Sequence, residues 1–141
     1  MADENALPSV VEFSSDVSMQ EAPPALPART YPATCTAASI KASSSKPENN
    51  LLNLEFTIDP SAFPADFPEA DPIKLYWNRN TVNKDTARER YQLKLLGEKM
   101  KVVINRRLDA NDFVGKQVNL KVKNGSWQGI PRAEIEAIEP L

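Results

Sequence analysis

The sequence predicts a mainly β domain of five strands, with one helix between the third and fourth, behind a disordered N-terminal tail. Three observations carry that prediction. Residues 51–58 alternate apolar and polar side chains; Ala87, Tyr91 and Leu95 recur at four-residue steps; Asn124–Gly125 separates two alternating stretches near the end. A period of two marks a half-buried strand, a step of four marks one face of a helix, and Asn-Gly is the strongest short hairpin signal.

Residues 1–28 read as the tail. They hold Pro8, Pro23, Pro24 and Pro27, no glycine, and small or acidic side chains. Such a stretch buries too little apolar surface to offset its ordering entropy. Leu7 and the cluster Val10, Val11 and Phe13 remain as points that can dock on a partner. The domain is expected to span 29–141. Its first strand, Thr30 to Ala42, alternates weakly: Tyr31, Ala33, Cys35 and Ala37 share one parity, and Thr34, Thr36, Ala38 and Ile40 the other. The polar loop 43–50 follows. In the second strand Leu52, Leu54, Phe56 and Ile58 face one way, and Asn53, Glu55 and Thr57 the other.

The stretch 59–72 is loop, with Pro60, Pro64, Pro68 and Pro72, and Phe63 and Phe67 are expected to pin it to the core. The third strand, 73–79, has two possible parities. With Ile73, Leu75 and Trp77 inward, Lys74, Tyr76 and Asn78 point outward; the reverse exposes Trp77. The helix is expected to start at Asn83 or Asp85, either a suitable cap. It would pack through Ala87, Tyr91, Leu95, Leu96 and Met100 and stop at Gly97. Arg88, Arg90 and Lys94 read as its solvated sides, or else as an extension of a basic binding surface. Lys101 to Arg107 fits either a helical extension or a short strand. Asp109 would cap one helical turn through Phe113, ended by Gly115. Val118, Leu120 and Val122 mark the fourth strand. A type I′ turn at Asn124–Gly125 puts Trp127 opposite Val122 and Gln128 opposite Lys121, which makes Trp127 partly core. The fifth strand runs from about Arg132 to Ile138. A five-stranded Greek-key barrel with a helix between its third and fourth strands is the OB-fold arrangement. Other small β-barrels and α+β sandwiches give the same order.

Charge is segregated. The net charge is −2, yet the first 28 residues carry five acids and no base, while Lys74 to Arg132 carries fourteen bases against five acids, a net of +9. A basic block with aromatics inside it is the electrostatic footprint of a polyanion binder. Enzyme readings find little support. The chain has no histidine, one cysteine and four glycines, so it lacks the commonest general base, a zinc cluster and a Gly-rich phosphate loop. Asp109 and Asp112 are better explained as turn caps than as a metal pair. No cofactor or metal is expected. Cys35 reads as a small buried apolar residue in a reducing setting. No apolar run is long enough to span a membrane, and the N-terminus lacks the basic and apolar regions of a secretory signal.

The stretch Leu108–Asp109–Ala110–Asn111–Asp112–Phe113–Val114–Gly115–Lys116–Gln117–Val118–Asn119–Leu120–Lys121–Val122 resembles the phage single-stranded DNA-binding proteins of the small OB-fold type. So do Trp127–Gln128–Gly129 with Ala133–Glu134–Ile135, Tyr31–Pro32–Ala33, Ser43–Ser44–Ser45–Lys46 and Leu52–Asn53–Leu54–Glu55–Phe56. The resemblance covers about 29–141. It implies non-specific binding of single-stranded DNA in phage replication or recombination, in the host cytoplasm. It leaves a homo-oligomer open, and an annealing role would use the same surface. Two features depart from the family pattern: the acidic stretch is N-terminal, which puts its recruitment of replication or recombination proteins in question, and Glu98 to Arg107 is a longer, more basic insertion.

On that surface Tyr76 or Trp77 would stack bases and Lys74 and Arg79 would meet phosphates. Lys41 and Lys46 would act from the first loop, and Lys121, Lys123 and Trp127 from the last hairpin. Tyr91 and Phe56 read as packing. The alternative function is a phage structural or interaction protein that grips neighbouring subunits with its N-terminal arm.

Overall fold

The computed structural model describes residues 7–141; the first six tail residues, with Asp3 and Glu4, lie outside the described residues. The strands are β1 (Thr30–Ala42), β2 (Asn50–Ile58), β3 (Ile73–Thr81), β4 (Gln117–Trp127) and β5 (Ile130–Pro140), with helix α1 (Ala87–Met100) between β3 and β4. They form one antiparallel sheet in the order β3-β2-β1-β4-β5. The sheet is open: β3 and β5 share no ladder. Its edges are nevertheless bridged, because the Arg79 guanidinium of β3 donates to the backbone oxygens of Ile135 (2.5 Å) and Glu136 (3.3 Å) on β5.

The clean alternation of β2 becomes the centre of the core: Leu52, Leu54, Phe56 and Ile58 are all fully buried. The weak alternation of β1 has a physical cause. Its pairing with β2 shifts between Cys35 and Ala37, so one extra residue, Thr36, switches the inward parity. Tyr31, Ala33 and Cys35 are buried before the bulge, and Ala38 packs on the core after it. Burial pushes the Cys35 thiol up to about 11, which keeps it neutral at ordinary pH. Phe63 and Phe67 pack against the core and meet edge to face, with centroids 5.3 Å apart. Asp109 caps its turn as expected: Oδ1 accepts the Asn111 amide at 2.9 Å, and the fully buried Phe113 closes the turn before Gly115 at φ 87°.

The last hairpin differs from expectation. Its turn is Gln128–Gly129, where φ is 50° and 78°, not Asn124–Gly125. Strand β4 continues through Asn124 and Gly125, which pair with Ala133 and Arg132; Val122 therefore faces Ile135, Lys121 faces Ala137, and Trp127 faces Ile130. The Asn124 side chain donates to Leu26 O at 2.7 Å, a bond that holds it in the strand. The same contact brings in the end of the tail. Leu26 is 2% exposed and belongs to the core, and Tyr31 Oη donates to Pro27 O at 2.7 Å, so the packed unit takes in residues ahead of Arg29.

The helix also departs from its predicted limits. Thr86 caps it, its Oγ1 accepting the Glu89 amide at 3.2 Å. Asn83 instead accepts from Asn50 N and donates to Glu48 O, both at 2.8 Å, while Asp85 pairs with Arg90. The buried face is Leu96, Gly97 and Met100. Ala87 is exposed and Tyr91 is 55% exposed, so the four-residue step did not mark the inner face and Tyr91 is not a packing residue. Gly97 is not the stop. The helix runs on to Met100 and ends where Lys101 adopts φ 58°. The segment after it is irregular, with Val102 buried and Val103 80% exposed.

Gly97 is needed for close approach. A Cβ there would stand 2.6 Å from the backbone oxygen of Val102. Glycine to alanine inside a helix ordinarily stabilises by about 1 kcal/mol. Here the overpacking of roughly 1–3 kcal/mol outweighs that gain, and Gly97→Ala lowers stability by about 1 kcal/mol, measurable by urea unfolding.

Candidate nucleic-acid interface

Because β3 pairs outward from β2 with Trp77 opposite Leu54, its inward side is Ile73, Leu75 and Trp77. Trp77 is half-buried against the core, and its Nε1 donates to Asn80 Oδ1 at 2.8 Å. That leaves Lys74, Tyr76 and Asn78 on the outer face. Tyr76 is 54% exposed, so of the two aromatics considered for this strand it is the one that offers a ring to solvent.

Two shallow clefts meet on this face. One, of about 370 Å³, lies between β3 and β5 and is lined by Lys74, Tyr76, Asn78, Arg79, Arg132 and Glu134. The other, of about 480 Å³, is lined by Lys41, Ser43–Ser45, Leu51, Asn53 and Asn78. Asn78 is common to both, so they form one groove from the β1–β2 loop to the β4–β5 hairpin. Trp127 stands at the hairpin tip, 57% exposed rather than partly core, because its partner is Ile130 and not Val122. Cross-strand pairing places Trp127, Ile130, Gly125 and Arg132 on one face of the hairpin, the face that continues into the groove.

The groove brings together Lys41, Lys74, Tyr76 and Arg79. Lys46 is exposed on the loop just beyond Ser45. Lys121 and Lys123 are exposed on β4, and Lys123 lies opposite Glu134 in the ladder. Arg79 has another occupation. Besides its bonds to β5, its Cζ lies 4.4 Å from the Trp77 ring centroid, so its guanidinium is held between the strands. Arg132 was missed in the sequence because the misplaced turn hid its place on the hairpin.

The bases are partnered by glutamates. Lys74 lies 3.6 Å from Glu55, Lys121 3.6 Å from Glu136, and Arg132 2.9 Å from Glu134. Exposed pairs of this kind are worth roughly 0–1 kcal/mol, so separating each base from its glutamate costs little. Among the described residues Lys41, Lys46 and Lys123 have no carboxylate within 4.0 Å. Glu55 is the most firmly held of the acids. Thr36 Oγ1 donates to it at 2.8 Å and Tyr76 Oη at 3.4 Å. The Thr36 hydrogen bond, aided by Lys74 and Tyr76, keeps its carboxyl below the usual glutamate range.

Among the described residues no group of three or more His, Cys, Asp or Glu side chains is placed to hold a metal ion, and no helix is long and apolar enough to cross a membrane. No family model matches the chain, and no curated protein matches it.

Proposed function

We propose that this chain binds single-stranded DNA without sequence specificity, and that the curled sheet is a Greek-key barrel of the OB type with its ligand across the outer face of β2 and β3. The observation that carries the reading is the pair of exposed aromatics: Tyr76 in the lining of a groove with Lys41, Lys74 and Arg132, and Trp127 at the tip of the hairpin that supplies Arg132. Such a surface performs both halves of the task. Cations take phosphates and release condensed counterions, and aromatic faces stack bases of any identity. Phage DNA replication or recombination is the setting that the sequence resemblance suggests.

The test is titration with oligo-dT, followed by tryptophan fluorescence at low and moderate salt, with duplex DNA as the control. Saturable, salt-sensitive quenching by the single strand alone supports the reading. Absence of binding to either form at low salt overturns it.

The groove also contains a brake. Glu55 places a negative charge beneath the phosphate path, so Glu55→Gln binds oligo-dT a fewfold more tightly. The sign with pH follows from the lowered pKa. Glu55 is charged above that value, so wild-type affinity rises as pH falls through it, while this contribution is absent in the variant. The stabilising contribution of the carboxylate runs the other way: it is present above the unfolded-state pKa and fades as pH falls through the folded one. Affinity measured against pH in both proteins checks the pair of statements.

A second reading is favoured by a different observation. Val10, Val11, Phe13, Val17 and Met19 are each at least 62% exposed, so the arm carries apolar side chains that the other described residues leave largely uncovered. That suits an interaction protein whose arm grips a neighbouring subunit. Loss of self-association on deleting residues 7–20, in a protein that does not bind oligo-dT, would favour it.

A further inference from the structure

Next to Val82 and away from the residues that line the groove lies a cleft of about 620 Å³. It is set between α1 and the irregular segment 101–108. Five cations, Lys84, Arg90, Lys94, Arg106 and Arg107, line it against one carboxylate, Asp85. Its floor is apolar: Val82, Leu93, Ile104 and Leu108 are all half-buried. Residues 84–107 carry eight bases against three acids, a net of +5.

Three of the five cations have acidic neighbours. Arg90 Nη1 is 2.6 Å from Asp85, Lys94 is 4.0 Å from Glu98, and Arg107 is 3.6 Å from Asp109. Lys84 and Arg106 have no carboxylate within 4.0 Å among the described residues. Like charges gathered around one concavity repel one another unless an anion enters, and low-dielectric walls focus their field into it. The volume is that of an ordinary ligand cleft. A cationic rim over an apolar floor suits a nucleotide, with phosphate on the rim and base on the floor.

The cleft is also joined to the groove through hydrogen bonds between the segments that line them. Val82 N donates to Asn50 O at 2.8 Å, and Asn83 bonds both Glu48 O and Asn50 N. The loop that ends the groove at Ser43–Ser45 is therefore tied directly to Val82–Asn83, and the next residue, Lys84, lines the cleft. We infer that this basic cleft is a second contact site for the phosphate backbone of single-stranded nucleic acid, taking the part of the strand that leaves the groove past the β1–β2 loop. The path of the strand rests on the proposed function of the groove; the anion-binding character of the cleft does not.

The test compares wild type with Lys84→Glu/Arg106→Glu, two exposed positions, after a thermal melt has shown that the variant is folded. Each binds an oligo-dT of about eight nucleotides, within the range of a single OB-type groove, and one several times longer. Wild type should bind the longer strand more tightly and with a steeper salt dependence. The variant should match wild type on the short strand, lose the gain on the long one, and show a log–log salt slope shallower by about 1.4, two contacts at roughly 0.7 each. An unchanged long-strand gain and slope in the variant would overturn the inference.

Adding labelled short oligo to protein already saturated with unlabelled short oligo separates the sources. A second binding event that the variant lacks assigns the cleft to a separate strand and overturns the continuous path. The two readings also fail separately. Long-strand binding that needs Lys84 and Arg106 but not Tyr76 and Trp127 keeps the cleft and removes the groove. Binding that needs only the aromatics does the reverse.

Discussion

Tyr76→Ala/Trp127→Ala, made together, should weaken oligo-dT binding by at least about thirtyfold while leaving the fold intact. Each base stacked on an aromatic contributes roughly 1–3 kcal/mol, so losing both removes about 2–6 kcal/mol. Both side chains are more than half exposed, and substitutions at such positions shift stability by about 0.5 kcal/mol or less. The slope of affinity against salt should not change, because no cation has been removed. Anisotropy of a labelled oligo is the suitable measurement, since Trp127 is no longer present to report. Affinity within twofold of wild type would take the groove out of DNA binding and move the arm-and-subunit reading to first place.

Arg79→Ala should lower stability by about 2 kcal/mol. Hydrogen bonds to a charged group contribute about 1.5–3 kcal/mol when the partner is well placed, and Arg79 makes two, to Ile135 O and Glu136 O, while stacking on Trp77. Partial exposure of the site keeps the total near the lower end. Arg79→Lys should not restore the loss, because an ammonium has no planar fork to span two carbonyls and a ring. Urea unfolding measures the effect. A variant of unchanged stability and reduced DNA affinity would return Arg79 to the role of a phosphate contact.

Local pattern sufficed where a strand keeps one parity. Strand β2 was legible residue by residue, and so was Tyr76 once Trp77 took the inner side. The Asp109 turn was legible because its cap, its buried aromatic and its glycine lie within seven residues. What escaped depends on contacts distant in sequence. The hairpin register is fixed partly by Asn124 bonding to Leu26 O and Val122 N bonding to Arg29 O, and nothing near Asn124–Gly125 announces either. With the turn misplaced, Arg132 and the exposure of Trp127 went unseen. The inner face of α1 is set by the part of the sheet it covers, so Gly97 and Met100 face inward and Tyr91 does not. The occupation of Arg79 requires β5, 56 residues further on.

The seam beneath the groove follows a different rule from the rest of the sheet. Four of the five neighbouring strand edges that a closed sheet would have are laced by backbone ladders, whereas β3 and β5 are joined through one long side chain. A joint of that kind opens locally at a lower free energy than a ladder does. Seam-facing amides of β3 and β5 therefore exchange with deuterated solvent ahead of those in β2, which is paired with β1 on one side and β3 on the other. A strand of DNA lying across Lys74 and Arg132 would act as a removable stitch, and protection of those same amides would report its arrival.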